Sequence, residues 1–355
     1  MPMATSHEAV KTVLTHPAFG REMPRAQRAE RPDHLAAFHR IDDHSLMRLE
    51  PPEHTRLRNV AEKAISGGAI LAMAPTISQM CDALIDELPR GVAFDVQKTF
   101  ADQLIGHTIT GYLGLPSEMY PQIRNWANDM AALQYARKDR AMEIAANEAA
   151  MAFSIFMEAH LSDRASAPAT DDFIGRMIDI QKTLTHVEVI SIVLTFIQAS
   201  MQGTSYMLGH ALRQLVDFPD RLLALAPDQI TATIDECVRF EPPLHIIGRH
   251  AQQDVTLSGT VFERHSQIGC LLGSACHDDA VWPDADLFDP FRAARQHMGF
   301  GAGIHACVGA SFSNMIMTIA LPAFFSRCPN VRITEPPTYA NDFQFRRLER
   351  LMVEI

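Results

Sequence analysis

Paired cysteines and closely spaced metal-ligand motifs are missing from this chain of 355 residues. Its cysteines form no CxxC pair and show no spacing typical of a small disulfide-rich domain. We therefore expect reduced thiols, as in a cytosol, and no zinc site. The six cysteines are Cys81, Cys237, Cys270, Cys276, Cys307 and Cys328.

An excess of basic charge and a long apolar run are also missing. Lys and Arg number 31 against 42 Asp and Glu, which gives a formal charge of -11 and argues against nucleic acid or an anionic membrane as the main partner. The N-terminus has no apolar signal core, and the apolar stretch from Val189 to Ala199 is too short to span a bilayer. These features predict a cytoplasmic protein that is not bound to a membrane.

Helical periodicity dominates the chain from Met1 to about Pro243. Short strand-like stretches follow, at Leu244–Ile247, Val255–Leu257, Ile268–Leu272 and Leu351–Ile355. The hydrophobic fraction of 47% is sufficient for a large core. We therefore predict a mainly α fold with small β-sheets.

A glycine-punctuated loop, Phe300–Gly309, carries Cys307 just before an apolar, helix-like run. Gly301 and Gly303 would let the backbone approach a bulky ligand closely. Amides at the start of the following helix would stabilise a thiolate. The loop predicts a thiolate held against a flat ligand, and the alternative is a buried cysteine beside a glycine-rich turn.

Two further motifs place charged side chains at helical spacing. Glu236 and Arg239 are three residues apart and can share a helix face, and Pro242-Pro243 would end that helix. His54 and Arg58 are four residues apart on a helix predicted to start near Pro52, so both can bind one anion. Each motif alone is also what an ordinary surface helix produces.

In this order, the motifs resemble those of soluble bacterial cytochromes P450, a haem-thiolate family. The resemblance implies one cytochrome P450-like domain over residues 1–355, with haem b bound through the thiolate of Cys307. It also implies a buried network of Glu236, Arg239 and Arg292. The residues implied to bind the haem are His54, Arg58, Arg249, Phe300, Gly301, His305, Cys307 and Gly309, of which His54, Arg58, Arg249 and His305 would hold the propionates.

The long helix predicted over Val187–Leu215 departs from the family. There an acid and an alcohol relay protons during oxygen activation, and the matching residues here are Gln202 and Gly203. Gln202 cannot donate a carboxylic proton and Gly203 has no side chain. Thr204 lies about 100° around a regular helix from Gly203 and could substitute only if the helix were locally unwound. Gln202 and Thr204 could also be ordinary groove residues.

The resemblance also implies that the usual N-terminal helix and the first two strands of the main sheet are missing. Leu244–Gly248 and Ile268–Leu272 would then lie near an uncovered sheet edge, which is a pairing hazard. A homodimer contact or a local rearrangement would cover it. A misassigned start codon would explain the short N-terminus equally well.

The function implied is a monooxygenase that activates O2 at the haem iron and oxidises a small hydrophobic molecule with electrons from a ferredoxin-type donor. By analogy, the substrate pocket would include Met201, Leu244, His245, Ile246 and Ile247. Gln202 and Gly203 keep an alternative open, namely a peroxide-driven or non-monooxygenase haem-thiolate enzyme such as a peroxygenase, isomerase or dehydratase. A haem-binding protein without turnover is the third hypothesis.

Overall fold

Helices carry most of the chain, in a computed structural model that describes residues 1–22, 31–134, 138–166, 168–257 and 259–355. Polar side chains cap several of them: Ser6, Asp139 and Asp172 each accept a hydrogen bond from a first-turn amide. The helices within the described ranges are α1 His7–Thr15, α2 Ala36–Asp42, α3 Glu53–Ala64, α4 Gly67–Ala72, α5 Ala74–Asp86, α6 Asp102–Leu113, α7 Tyr120–Ala131, α8 Arg140–Ala165, α9 Phe173–Ile180, α10 His186–Ala199, α11 Ser205–Val216, α12 Arg221–Ala224, α13 Ile230–Phe240, α14 Leu272–Cys276 and α15 Ala310–Arg327.

The strands are short, between two and six residues each. Four of them form a sheet in the order β1-β7-β4-β2, and smaller groups are β3-β11-β8, β10-β9 and β5-β6. Their bounds are β1 Met3–Ala4, β2 Phe19–Gly20, β3 Phe94–Asp95, β4 Ile246–Ala251, β5 Val255–Leu257, β6 Thr260–Phe262, β7 Gln267–Leu271, β8 Arg332–Ile333, β9 Thr338–Tyr339, β10 Leu348–Arg350 and β11 Met352–Glu354. The mainly α prediction with small sheets is confirmed.

The prediction of an uncovered sheet edge at β4 and β7 is wrong. The N-terminal strand β1 pairs in parallel with β7, with Met3 opposite Gly269 and Ala4 opposite Cys270. On the other side, β2 pairs antiparallel with β4. Each outer strand is only two residues long, a length that limits edge-to-edge association. The edge therefore offers no reason to expect a homodimer.

By its contacts, the chain divides into two compact units. The first comprises Met1–Gly20, Ile70–Ile105 and Ser200–Ile355, and the second comprises Arg21–Ala69 and Gly106–Ala199. In the first unit, α1 packs on the four-stranded sheet through a cluster that includes Val10, Val13, Leu14, Ile268 and Cys270. This cluster supports the loop that carries Cys307, because it also contains Met298 and Ala302.

In the second unit, α7 packs along α8. The ring of Trp126 lies against Phe153 and Phe156, with ring centroids 6.1 and 5.8 Å apart. A second contact holds α3 to the start of α10, where Arg56 forms an ion pair with the buried carboxylate of Glu188.

The long helix predicted over Val187–Leu215 is present over His186–Val216. It is α10 and α11 joined by a π-helical turn, Ser200–Thr204. By length and composition alone this segment and Gly67–Asp86 could cross a membrane. Of the apolar window of His186–Val216, 61% is buried inside the protein, which is typical of a core helix.

Candidate active site

Cys307 lies in a closed loop immediately before α15. The amide of Cys307 donates to the carbonyl oxygen of Phe300 at 2.9 Å, and the amide of Gly301 donates to that of Met298 at 2.8 Å. After the loop, Gly309 is the N-cap residue of α15. The backbone thus fixes Cys307 at the positive end of a helix of 18 residues, where a thiolate is stabilised.

The two glycines of the loop have different surroundings. Both have a left-handed backbone, with φ of 67° at Gly301 and 74° at Gly303. A Cβ atom on Gly303 would lie 2.3 Å from the carbonyl oxygen of Leu14, whereas no atom lies within 4 Å of that position on Gly301. The prediction that both glycines admit a ligand therefore fits Gly301, while Gly303 is required by the packing of the loop on α1.

Exposure separates Cys307 from the other five cysteines. Cys307 is exposed, and the remaining five are buried. Burial raises the pKa of Cys81 to about 12 and those of Cys270 and Cys276 to about 11. It also raises the pKa of Cys237 and Cys328, so all five favour the neutral thiol.

The structure brings Glu236, Arg239 and Arg292 together. The guanidinium of Arg239 forms a bidentate pair with the carboxylate of Glu236 at 2.7 and 2.8 Å, and both side chains are buried. Nε of Arg292 lies 3.5 Å from the same carboxylate. Because each charge faces an opposite charge, this buried network avoids the cost of an unpaired ion.

The same network fixes the coil that leads to the loop. Arg239 donates to the carbonyl oxygens of Cys276 at 2.8 Å and Ala285 at 2.9 Å, and Glu236 accepts from the amide of Asp289 at 2.9 Å. Further along, a Cβ atom on Gly299 would lie 2.6 Å from the side chain of Val238. Helix α13 therefore holds both the coil and the entrance of the loop.

The predicted anion-binding residues lie in both units. In the first unit, Arg249 is a β4 residue with only 2% of its surface exposed, and His305 ends the 3₁₀ turn Gly303–His305. In the second unit, His54 and Arg58 lie on α3, which begins at Glu53 as the sequence predicts. His54 is buried, and Arg58 pairs with Glu62 at 2.6 Å.

The π-helical turn holds the residues that depart from the family motif. Met201, Gln202 and Gly203 are half-buried, and a Cβ atom on Gly203 would have no neighbour within 4 Å. The hydroxyl of Thr204 lies 2.7 Å from that of Ser313 on α15, and both residues are buried. The turn is locally unwound, but the hydroxyl of Thr204 is held by α15.

The predicted pocket residues around β4 have mixed surroundings. Ile247 belongs to the apolar cluster under the sheet, and Leu244 packs against that cluster, so both are core residues here. Ile246 is buried on the same strand, and His245 is half-buried just before it. Burial lowers the pKa of His245, with the cation of Arg346 acting in the same direction. The imidazole is therefore neutral at neutral pH.

The comparisons with known proteins point to one family. A family model described as Cytochrome P450 matches residues 229–340, which contain the Glu236 network and Cys307. The mycinamicin IV hydroxylase/epoxidase of Micromonospora griseorubida is 28% identical over 347 residues, with 95% of this chain and 84% of that enzyme covered. The biotin biosynthesis cytochrome P450 of Bacillus subtilis is 25% identical over 355 residues, covering 98% of this chain and 89% of that protein.

Solved structures match over almost the whole chain. P450BioI, in complex with an acyl carrier protein ligated to hexadec-9Z-enoic acid, gives a TM-score of 0.92 at 25% identity and covers 99% of this chain and 91% of its own. CYP164A2 of Mycobacterium smegmatis gives 0.87 at 26%, with 99% and 90% covered. Fold and site define a haem-thiolate protein. The chain is similar to bacterial cytochromes P450 over almost its whole length, and these similarities support a haem-thiolate monooxygenase.

The residues present fit haem b with a cysteine thiolate as axial ligand, the cofactor of this family. No atom lies within 4 Å of a Cβ position on Gly203, Gly301 or Gly309, so these backbones leave space for a flat group. Arg249 places a buried guanidinium in the same unit, suited to a carboxylate. Sequence reasoning missed Gly299 and Ser313, because their contacts join segments far apart in the chain.

Proposed function

We propose that Cys307 supplies the thiolate and that the chain oxygenates a small hydrophobic molecule. The exposure of Cys307 at the start of α15 carries this proposal. Cys328 is buried at the opposite end of α15, where the helix dipole disfavours an anion. When bound, the haem supplies oxygen activation and electron storage, and the thiolate tunes both.

The chain's own residues would hold and orient that group. Arg249 and His305 would each donate to a propionate, while Phe300, Gly301 and Gly309 would leave the loop backbone close to the ring. The roles of His54 and Arg58 toward the propionates stay predictions from the resemblance. Glu236, Arg239 and Arg292 act at a distance from the ring, by fixing the coil before the loop.

By the resemblance, Gln202 and Gly203 would define how a proton reaches the reaction. Gln202 can only orient a donor, and the space at Gly203 would admit a water molecule or a substrate hydroxyl in place of the missing side chain. Thr204 would have a structural role, which its bond to Ser313 supports. The proton path would therefore run through substrate or water rather than through a side-chain alcohol at position 203.

For the substrate, Met201 and Ile246 would contribute apolar surface and His245 one polar group. Because the pKa of His245 is lowered, its imidazole would accept or donate a hydrogen bond rather than pair with an acid. A hydroxyl or carbonyl group on an apolar molecule suits it better than a carboxylate. Ile247 and Leu244 would support this wall from the core.

We further propose a ferredoxin-type electron donor and a cytoplasmic location, with both units belonging to one domain over residues 1–355. The donor rests on the class of enzyme. The location is supported by reduced thiols, since the structure places all six cysteines outside disulfides. The single domain is supported by the structural match to P450BioI over 99% of the chain.

The ligand assignment is tested with a pair of cysteine variants. Reduced haem-loaded protein under CO should show the strongly red-shifted Soret band of thiolate ligation. Cys307→Ser should abolish that band, and the matched variant Cys328→Ser should keep it. Survival of the band in haem-loaded Cys307→Ser would overturn the proposal, and its loss in folded Cys328→Ser would assign the thiolate to Cys328 instead.

Oxygenation is tested by comparing two oxidant supplies on one substrate. Product should form with O2, a reductase and a ferredoxin at a rate that peroxide alone does not match. Turnover with peroxide only would overturn the monooxygenase mechanism and would support the alternative that the protein is a peroxygenase. The same assay with a range of ferredoxins tests the donor.

A further inference from the structure

Helix α8 presents an apolar face to solvent. Ile144, Met151 and Ile155 are 43%, 52% and 65% exposed, although all three belong to one continuous helix of 26 residues. A cluster of large exposed apolar side chains on a soluble protein often marks an interaction surface. None of these residues has a role in the proposed function, so the inference below does not depend on it.

The exposed residues of α8 form a single stripe. Between residues 141 and 162 they follow one another at intervals of three or four residues, which keeps them on one side of the helix. In order, they are Ala141, Ile144, Glu148, Met151, Ile155, Ala159 and Ser162. The opposite side is buried in the second unit through Phe153, Met157 and Leu161. Helix α8 is therefore apolar on two sides, as expected of a helix that is covered on both.

The stripe has the spacing of a helix–helix contact. Intervals that alternate between three and four residues form the seam along which two helices pack at a small crossing angle. Beside this seam, an alanine recurs every seven residues, at Ala145, Ala152 and Ala159. Small side chains at the edge of the seam let a second helix approach closely. The stripe thus fits another helix of similar length.

The charges at the two ends of α8 indicate which helix this is. Lys138 and Arg140 lie at the N-terminal end, and Glu158 and Asp163 lie towards the C-terminal end. Two copies of α8 that run antiparallel about a two-fold axis bring the basic end of each against the acidic end of the other. A parallel pair would instead place like charges together. The helix is therefore complementary to a second copy of itself.

The other charges near these ends are already used within the chain. Asp139 is the N-cap of α8, and the guanidinium of Arg164 forms an ion pair at 2.6 Å. Arg140 and Glu158 also take part in ion pairs within the chain, but these pairs are exposed. Exposed ion pairs contribute little to stability, so they can exchange for pairs between two copies.

We propose that α8 binds α8 of a second copy of this chain, antiparallel about a two-fold axis. In the register set by the stripe, Ile144 lies against Ile155 of the partner subunit and Arg140 against Glu158 of the partner subunit. The two copies of Glu148 then lie near the axis, where a polar seam residue fixes the register at a cost in stability. One helix pair is smaller than a standard interface, so the dimer depends on protein concentration.

The test is sedimentation velocity on the full-length, haem-loaded protein. As its concentration rises through the micromolar range, the wild type should move from the mass of one chain toward that of two. Ile155→Glu should weaken dimerisation at least tenfold, because it buries two further carboxylates in the seam. Leu71→Glu is the control on α4, matched in exposure at 69%, and should dimerise as the wild type does. Circular dichroism checks that each variant folds, and Met151→Glu takes the place of an Ile155→Glu that does not.

Two further variants test the register. Arg140→Glu should weaken the dimer, and adding Glu158→Arg should restore it, because the two exchanged charges attract again across the axis. Glu148→Leu should strengthen the dimer at least tenfold, since it removes both carboxylates from the seam. A wild type that stays monomeric, a dimer that Ile155→Glu leaves unchanged, or a charge exchange that restores nothing would each overturn the proposal.

A lipid surface is the other occupant that an apolar stripe of this kind would suit. Vesicles of phosphatidylcholine, pelleted with the wild-type protein, should leave it in the supernatant. Binding to the vesicles that Ile155→Glu abolishes and Leu71→Glu keeps, by a protein that sediments as a monomer, would assign the stripe to a membrane and overturn the dimer.

Discussion

Gly303 is the residue whose role the structure changes most. It shares a left-handed backbone with Gly301, but only Gly303 lies against the carbonyl oxygen of Leu14. We expect Gly303→Ala to lower the midpoint of urea unfolding strongly, because a backbone clash is added to a strained φ, which alone costs about 1–3 kcal/mol.

Gly301→Ala is the matched control in the same loop. It carries the strain of φ without the clash, so its unfolding midpoint should fall less than that of Gly303→Ala. Its main effect should be weaker retention of haem, measured by the Soret absorbance after gel filtration. Equal unfolding midpoints for the two variants would contradict the packing role of Gly303.

The space beside Gly203 allows the missing side chains to be restored. A Cβ atom there meets nothing within 4 Å, so Gln202→Asp combined with Gly203→Thr should fold. A positioned proton donor contributes about 100-fold or more to a rate, so product formation per electron consumed should rise, up to the stoichiometric limit. The measurement is product against reduced cofactor consumed.

Gly203→Ala is the control for this prediction, because it fills part of the space without adding a hydroxyl. Its ratio of product to electrons should stay at the wild-type value or fall. If Gly203→Ala raises the ratio as much as the double variant does, shape rather than proton supply limits the wild-type protein.

At the residue scale, the sequence predicts contacts between residues that are close together in the chain. Glu236 and Arg239 lie three residues apart and meet on α13 as helix geometry requires. The contact of Gly303 with Leu14 crosses most of the chain, and no local pattern encodes it.

Among the elements, the π-helical turn between α10 and α11 is tied to α15. The hydroxyls of Thr204 and Ser313 are 2.7 Å apart in a buried setting. Thr204→Val keeps the shape and removes the bond, leaving the hydroxyl of Ser313 unsatisfied. We expect a loss of about 1–3 kcal/mol of stability, measured by urea unfolding.

The double variant Thr204→Val with Ser313→Ala tests whether the two hydroxyls act as a pair. Its stability should exceed that of Thr204→Val alone, since no buried hydroxyl is then left without a partner. The ratio of product to electrons should not change in either variant. A collapse of this ratio at wild-type stability would instead make Thr204 the proton relay.

The ends of helices and strands can be predicted where the sequence contains residues that terminate them. Pro242-Pro243 ends α13 at Phe240, and the strand predicted at Val255–Leu257 is found at those residues. Strands β1 and β2 could not be predicted, because two residues show no periodicity and their pairing with β7 and β4 is a tertiary contact. The sequence therefore predicted an open sheet edge, whereas β1 and β2 cover it.

At the scale of the whole molecule, acid should destabilise the fold. Every histidine of the described chain with a resolved pKa shift has its pKa lowered, with burial as the leading cause: His39, His107, His160, His210, His245 and His250. Because the folded state then binds fewer protons than the unfolded state, stability falls as the pH drops below about 6.5.

His210 should account for the largest single share of this loss. Burial lowers its pKa to about 4, although the nearby carboxylate of Glu241 acts in the opposite direction. Nε2 of His210 lies 2.8 Å from the carbonyl oxygen of Arg346, so the neutral form with its proton on Nε2 is favoured. The shift corresponds to about 3 kcal/mol of stability, lost progressively between about pH 6.5 and pH 4.

His210→Gln tests this share, because its amide nitrogen can still donate to the carbonyl oxygen of Arg346 but does not titrate in this range. Its unfolding free energy should change less between pH 7 and about pH 4.5 than that of the wild type, as measured by urea unfolding at several pH values. His44→Gln is the matched control on a residue with no comparable burial and should keep the wild-type slope.

The net charge of -11 becomes smaller in magnitude as acid is added, which relieves repulsion in every variant alike. The difference in slope therefore isolates the buried imidazole, and equal slopes in His210→Gln and the wild type would show that folding does not lower the pKa of His210.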